Sequence, residues 1–279
     1  MKHTLTAALA ASMMLGLAPL AHADMDANGE VGLPLNPTAQ IPMVGGMRVQ
    51  GDYFKLNGGA KTYGLHVAGR VGTNWELSGG LARLGSTGVG ALDKTGVDLN
   101  AKYLISRESD PVGVKLAVGA GYSDSQFKNI HIFGVATKSL GALTPNVAPV
   151  TGHLGLRWDR FNASRLNAAF APPFFSNSSM ASIYAGLEVP FTKTGELGMV
   201  AEIASKNIKF KSAGGNLNGS SPYAIGLRYR PSNSGFGVTV GAARSSMSSL
   251  GAAAAGTSAS AKLFVQLGYT FNTSVLSGK

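Results

Sequence analysis

"VDLNAKYLI", residues 97–105, alternates with a period of two: Leu99, Ala101, Tyr103 and Ile105 fall on one parity, Asp98, Asn100 and Lys102 on the other. Successive side chains of a β-strand point to opposite faces, so this segment reads as a strand with one apolar and one polar face. The pattern recurs along the chain. "TGHLGLRWD" (151–159) sets Leu154, Leu156 and Trp158 against His153, Gly155 and Arg157. "SIYAGLEVPF" (182–191) sets Ile183, Ala185, Leu187, Val189 and Phe191 against Ser182, Tyr184, Gly186 and Glu188. "PYAIGLRYR" (222–230) and "AKLFVQLGYTF" (261–271) repeat it, with Leu227 opposed to Arg228 and Leu267 to Gln266. About twelve such segments follow residue 42: 46–56, 60–71, 75–84, 95–105, 112–123, 130–139, 150–161, 181–191, 196–205, 222–230, 236–245 and 261–271. Most have the length of a tilted strand crossing a bilayer, about 9–11 residues.

The joints carry separate information. "GTN" (72–74), "SRESDP" (106–111), "TKTG" (192–195) and "PSNSG" (231–235) are short and turn-like, whereas 162–180, 206–221 and 246–260 are long. Alternating short and long joints mark short periplasmic turns and longer outer loops; "NGG" (57–59) and the stretch 140–149 depart from it. Trp75, Tyr103, Phe191, Tyr229, Phe236, Tyr269 and Phe271 gather at the short-turn ends, as in an aromatic girdle. The fold expected is all-β: an antiparallel transmembrane β-barrel of about twelve strands, spanning residues 43–271.

Composition agrees. Charged residues make up only 14% of the chain, glycine is abundant at 38 residues, and there is no cysteine, hence no disulfide. The amino terminus reads as a secretory signal peptide: Lys2, an apolar run, then Ala21-His22-Ala23, with cleavage expected before Asp24. Residues 24–42 read as an extended or irregular periplasmic leader, and 272–279 as a C-terminal extension. The leader opens on "DMDANGE" (24–30), the first half of a calcium-loop motif. Its twelfth position is Leu35 rather than Glu, and prolines follow where a helix is needed.

The chain as a whole resembles Gram-negative outer-membrane β-barrel proteins. "LGYTF" (267–271) is similar to the aromatic ending read by the assembly machinery, although "NTSVLSGK" continues past it. "GLPLNPTAQIPMVGGMRV" and "GELGMVAEIASKN" also resemble YjbH-type outer-membrane proteins associated with exopolysaccharide. These resemblances imply location in the outer membrane and contact with membrane lipid, lipopolysaccharide and the assembly machinery.

Parity then assigns a lumen lining of Arg48, Arg70, Lys102, Lys115, Arg157, Glu188, Glu202, Arg228, Arg230, Lys262 and Gln266, with Asp52, Glu76, Asp98, Asp159 and Glu196 on the same side. Positive and negative charges there nearly cancel, unlike a selective filter built from rings of one sign. Glu202 is the acidic partner expected for Arg228. The formal charge of +10 is left to rims and loops, including Lys128, Arg160, Arg165, Lys206, Lys209 and Lys211. A basic rim suits lipopolysaccharide phosphates or an acidic polysaccharide. The basic residues are dispersed, without the aromatic-interleaved patch of a nucleic-acid surface.

No cofactor, metal or catalytic residues are expected. His66, His131 and His153 are the only histidines after residue 23 and are scattered, and Ser176, Ser178 and Ser179 sit in a long joint without a motif linking them to one. The leading functional reading is a structural or polysaccharide-associated outer-membrane barrel with weak passage of small solutes. A small-solute porin-like channel is the alternative, and an outer-membrane hydrolase the third.

Overall fold

The computed structural model describes residues 24–85, 93–124, 128–164, 167, 176–205, 209–212, 215–245 and 260–272. The expected signal peptide and most of the expected C-terminal extension lie outside them, as does the joint 246–259.

Twelve strands close into an antiparallel barrel: β1 (Gly46–Lys55), β2 (Lys61–Val71), β3 (Trp75–Gly85), β4 (Thr95–Ser106), β5 (Lys115–Ser123), β6 (Lys128–Gly141), β7 (Val150–Asn162), β8 (Ser178–Pro190), β9 (Leu197–Ala204), β12 (Tyr223–Tyr229), β13 (Phe236–Arg244) and β14 (Lys262–Asn272). Each barrel strand pairs with the barrel strands before and after it in the chain, β9 with β12. β1 closes the barrel on β14, with Met47 opposite Phe271 and Phe54 opposite Phe264. Closure leaves no free edge, the condition for a sheet to sit in hydrocarbon. The two strands outside the barrel, β10 (Lys209–Ser212) and β11 (Gly215–Asn218), form a hairpin within the joint after β9. That joint was expected as a long outer loop, with no strand assigned to it. The β1–β2 turn is tight because Gly58 and Gly59 take positive φ of 72° and 83°, which costs glycine little. β8 begins at Ser178, so Ser178 and Ser179 belong to a strand rather than to the preceding joint.

Faces follow parity. Leu156 is 61% exposed and its neighbour Arg157 7%; Leu227 is 58% exposed and Arg228 4%. The outward face is therefore an apolar wall. Trp75 and Tyr103 pair on it with ring centroids 4.9 Å apart, as do Tyr269 and Phe271.

The inward face is not open. Residues 24–42 are folded inside the barrel, which corrects the expectation of an extended periplasmic leader. Met25, Val31, Leu33 and Ala39 have no exposed surface. The segment doubles back on itself, with bridges Met25 to Val31 and Gly32 to Pro37. Asp26 N–H donates to Glu30 O at 2.7 Å and Gly32 N–H to Asp24 O at 2.7 Å. Around it, side chains from the whole circumference reach its backbone. Gln50 (β1), Lys102 (β4), Tyr184 (β8) and Gln266 (β14) donate to its carbonyls. Glu76 (β3), Thr137 (β6) and Glu202 (β9) accept from its N–H groups. Only a segment in the interior of a closed sheet can meet all of these strands. Irregular backbone at membrane depth requires such partners, because a buried unpaired peptide group is costly.

Apolar contacts complete the seating. Ile41 packs on a cluster containing Ala39, Leu104, Phe133, Val135 and Tyr184. Ala27 and Leu35 pack on Phe54, Leu84, Ala224 and Phe264. We refer to residues 24–42 as the plug.

Candidate functional site

The densest polar site lies where the plug begins, at the end of the barrel flanked by short turns. Asp24 is 2% exposed. Its Oδ1 accepts from Arg48 Nη2 at 2.6 Å. Its Oδ2 faces Arg228 Nε at 2.6 Å and accepts from Arg230 Nη2 at 2.8 Å, Arg230 Nε at 3.1 Å and Thr239 Oγ1 at 3.3 Å. Arg48 comes from β1, Arg228 from β12, Thr239 from β13, and Arg230 follows β12 directly. Alternation puts Arg228 and Arg230 two residues apart on one face, and the Arg228–Thr239 register brings Thr239 beside them.

The guanidiniums are themselves held. Arg48 Nη1 donates to Thr270 Oγ1 at 3.1 Å. Arg228 Nη1 donates to Glu188 Oε2 at 3.0 Å, and His153 Nε2 lies 3.2 Å from the other Glu188 oxygen. Two glycines make room: a Cβ at Gly268 would lie 2.2 Å from Arg48 Nη2, and one at Gly237 would lie 3.1 Å from the same atom. Buried ions persist only when paired and hydrogen-bonded, and here three cations converge on Asp24 and Glu188. The calcium-like "DMDANGE" thus has another use. Asp24 is an arginine-bound carboxylate, and Asp26 Oδ1 accepts from Asn28 N–H at 2.8 Å and Glu30 N–H at 3.1 Å, tightening a turn.

Three further anchors hold the plug. Glu202 Oε1 accepts from Leu35 N–H at 2.6 Å, and Oε2 from Asn36 Nδ2 at 2.7 Å. Lys102 donates to Val31 O at 2.9 Å and pairs with Glu76 at 2.9 Å. Glu30 meets His131 at 3.2 Å. His66 is fully buried between Asp52 at 2.9 Å and Asp98 at 3.2 Å. All three histidines of the described residues are therefore occupied by carboxylates. Among those residues, no group of three or more His, Asp or Glu could hold a metal ion.

The sequence-assigned residues divide as follows. Arg48, Lys102, Arg157, Glu202, Arg228 and Gln266 are buried, and Glu188 and Arg230 nearly so. Arg157 pairs with Asp159 at 3.0 Å. Arg70, Lys115 and Lys262 are half-exposed near strand ends; Arg70 hydrogen-bonds the backbone carbonyl of Thr73 in the turn. Glu196 lies in the turn before β9, bonded to Ser232, and not inside the barrel. The partner expected for Arg228 is also corrected. Arg228 holds Asp24 and Glu188, while Glu202 is taken up by the plug backbone. Sequence reasoning missed Asp24 and Thr239. Parity on β13 would have found Thr239; no periodicity marks Asp24.

Fold and site together define a closed twelve-strand antiparallel β-barrel carrying an internal N-terminal plug. No family model matches the chain, and no curated protein matches it. Solved structures of similar shape include the KdgM porin in complex with disordered oligogalacturonate, at 10% identity, TM-score 0.47, covering 81% of this chain and 98% of that one. The Acinetobacter baumannii outer membrane protein Omp33 follows at 9% identity, TM-score 0.39, covering 81% and 97%. The translocator domain of the autotransporter NalP from Neisseria meningitidis has 12% identity and TM-score 0.41, covering 82% and 89%. These neighbours are barrels, and none of the comparisons supports the YjbH-type resemblance. At such identities and TM-scores they carry no argument about function.

Proposed function

We propose that this protein is an outer-membrane β-barrel of structural or surface-associated role, held shut by its own N-terminal plug, and not an enzyme. The outward apolar wall and paired aromatic rings support placement in a bilayer. The single observation that carries the closed state is the complete burial of Met25, Val31, Leu33 and Ala39 inside the barrel. In this reading Arg48, Lys102, Arg157, Glu188, Glu202, Arg228, Arg230 and Gln266 line the lumen, and all of them but Arg157 and Glu188 hold the plug directly. Arg70, Lys115 and Lys262 mark its rims. Contacts with lipid, lipopolysaccharide and the assembly machinery follow from the location, and an acidic polysaccharide suits the basic rim.

A second reading, the porin-like channel, has one observation in its favour. The wall behind the plug is charged, with Arg48, Lys102, Arg157, Arg228, Glu76 and Asp98 facing inward. A barrel that is always filled does not need buried ions, since apolar packing in their place is often neutral or stabilising. Charges suit a lumen that is wet when the plug leaves.

Planar-bilayer recording of refolded protein tests both. The wild type should be electrically silent over most of the record, and a variant lacking residues 24–42 should conduct in steady steps. Continuous conductance of the wild type at the level of that variant would overturn the closed barrel.

A further inference from the structure

We propose that Arg48, Arg228 and Arg230 form a binding site for a small carboxylate, which Asp24 occupies as a tethered ligand, so that an acidic solute competes with the plug for the mouth of the barrel. The inference rests on the plugged-barrel reading above and names the ligand class of its site.

The donors belong to the barrel wall. Arg48 Nη2, Arg230 Nε and Nη2, and Thr239 Oγ1 donate to one carboxylate, and Arg228 Nε, which donates to Thr239 Oγ1, stands 2.6 Å from it. Besides Asp24, the plug reaches them only through Met25, whose N–H shares Gln50 Oε1 with Arg48 Nε. Thr270 and Glu188 fix two of the guanidiniums, and Gly237 and Gly268 leave the space they fill. The planar forks of arginine match the two oxygens of a carboxylate. Here the oxygens are read separately, Oδ1 by Arg48 and Oδ2 by Arg228 and Arg230. With Asp24 withdrawn, Arg228 and Arg230 would keep Glu188 and Arg48 would lose its paired carboxylate, leaving a positive point at the entrance.

A second, independent observation shows unfilled capacity. A cavity of about 150 Å³ adjoins the cluster, lined by Thr151, Glu188, Pro190, Val200, Arg228 and Arg230. Arg228 is 4% exposed, yet among the described residues its Nη2 has no hydrogen-bond partner. The cavity far exceeds the roughly 10–15 Å³ of such space that holds one water, and leaves room for the body of a small acid whose carboxylate replaces that of Asp24. Tethering gives Asp24 an effective concentration on the order of millimolar, so a free acid displaces it only at comparable or higher concentration.

Calorimetric titration of the micelle-refolded full chain with succinate, at constant ionic strength, tests the site. Asp24→Asn should bind succinate at least tenfold more tightly than the wild type. Succinamide should bind neither protein, and adding Arg228→Gln and Arg230→Gln to Asp24→Asn should abolish binding. Should Asp24→Asn not fold, a Val31→Cys variant of the otherwise wild-type chain gives the same answer: succinate, and not succinamide, should accelerate thiol labelling of the plug. Equal affinity of wild type and Asp24→Asn, binding of succinamide, or binding that survives loss of both arginines would overturn the proposal. Inorganic phosphate binding Asp24→Asn more tightly than succinate would overturn the carboxylate assignment. A silent wild type in bilayers with no succinate site would sink this inference alone, whereas a conducting wild type would sink the plugged barrel beneath it.

Discussion

Removing the Asp24 carboxylate should loosen the plug without unfolding the barrel. In Asp24→Ala, Arg228 and Arg230 keep Glu188, while Arg48, paired with Asp24 at 2.6 Å, is left to Thr270 and Gln50. Breaking a buried ion pair by deleting one partner costs about 3–5 kcal/mol. The site lies at the mouth, and the Arg230 side chain is 14% exposed, so water takes up part of the loss and the lower end, about 3 kcal/mol, is expected. Since about 1.4 kcal/mol is tenfold in an equilibrium constant, the open population of the plug should rise by about two orders of magnitude. The barrel strands keep their ladders, so the energy falls on plug seating. The chain has no cysteine, and Val31, fully buried in the plug, is close to cysteine in size. A Val31→Cys variant therefore reports opening through its labelling by a bulky maleimide. With reclosing fast relative to labelling, the rate tracks the open population, and adding Asp24→Ala should raise it about 100-fold. Equal rates with and without Asp24 would refute the clamp as the plug's lock.

Other perturbations test other parts of the account. Leu227→Arg places a charge on the apolar outer face at a cost of about 2–4 kcal/mol and should reduce the heat-resistant folded band on a gel. Arg228→Gln should instead accelerate Val31→Cys labelling, and identical behaviour of the two variants would mean that the register is wrong. Gly155→Val drives a Cβ to 2.1 Å from Tyr184 Cζ, displacing the ring that bonds Pro37. Overpacking of this kind costs about 1–3 kcal/mol, visible as a lower thermal midpoint, whereas Gly134→Ala, whose Cβ would have its nearest neighbour at 4.0 Å, should leave the midpoint unchanged. In the exposed turn before β9, hydrogen bonds from the Ser232 side chain and backbone hold the Glu196 carboxyl below its ordinary range. The turn's contribution is therefore complete above the ordinary Glu pKa and is lost as pH falls through the lowered one. Ser232→Ala should move the Glu196 titration upward by carboxyl NMR, and an unchanged midpoint would contradict the assignment.

The barrel was legible because a strand writes its two faces into consecutive residues. Leu156 beside Arg157, and Leu227 beside Arg228, need no tertiary information to be read as outside and inside. The closing pair was also within reach, since "LGYTF" carries the same alternation as the first strand. The plug was not. Its residues satisfy their backbone groups against Glu76, Lys102, Thr137, Tyr184 and Glu202, side chains distant in sequence, so it carries no period of its own. Its prolines and glycine read as an irregular leader, which is true of its backbone and silent on its position. Parity put Arg48, Lys102, Arg157 and Arg228 on the face that the structure buries, but it named neither their partners nor the exposure of Arg70, Lys115, Lys262 and Glu196. Arg228 faces Asp24 because the plug delivers a carboxylate to the mouth, and nothing local to "GLRYR" encodes that.

Amide hydrogen exchange of residues 24–42 in the refolded protein tests the internal plug most directly. The account predicts that amides of the segment, those of Val31, Leu35 and Ala39 above all, whose N–H groups are bonded to Glu76, Glu202 and Thr137, exchange as slowly as those of the barrel strands. Exchange of the whole segment within seconds, at the rate of an unstructured peptide, would contradict it.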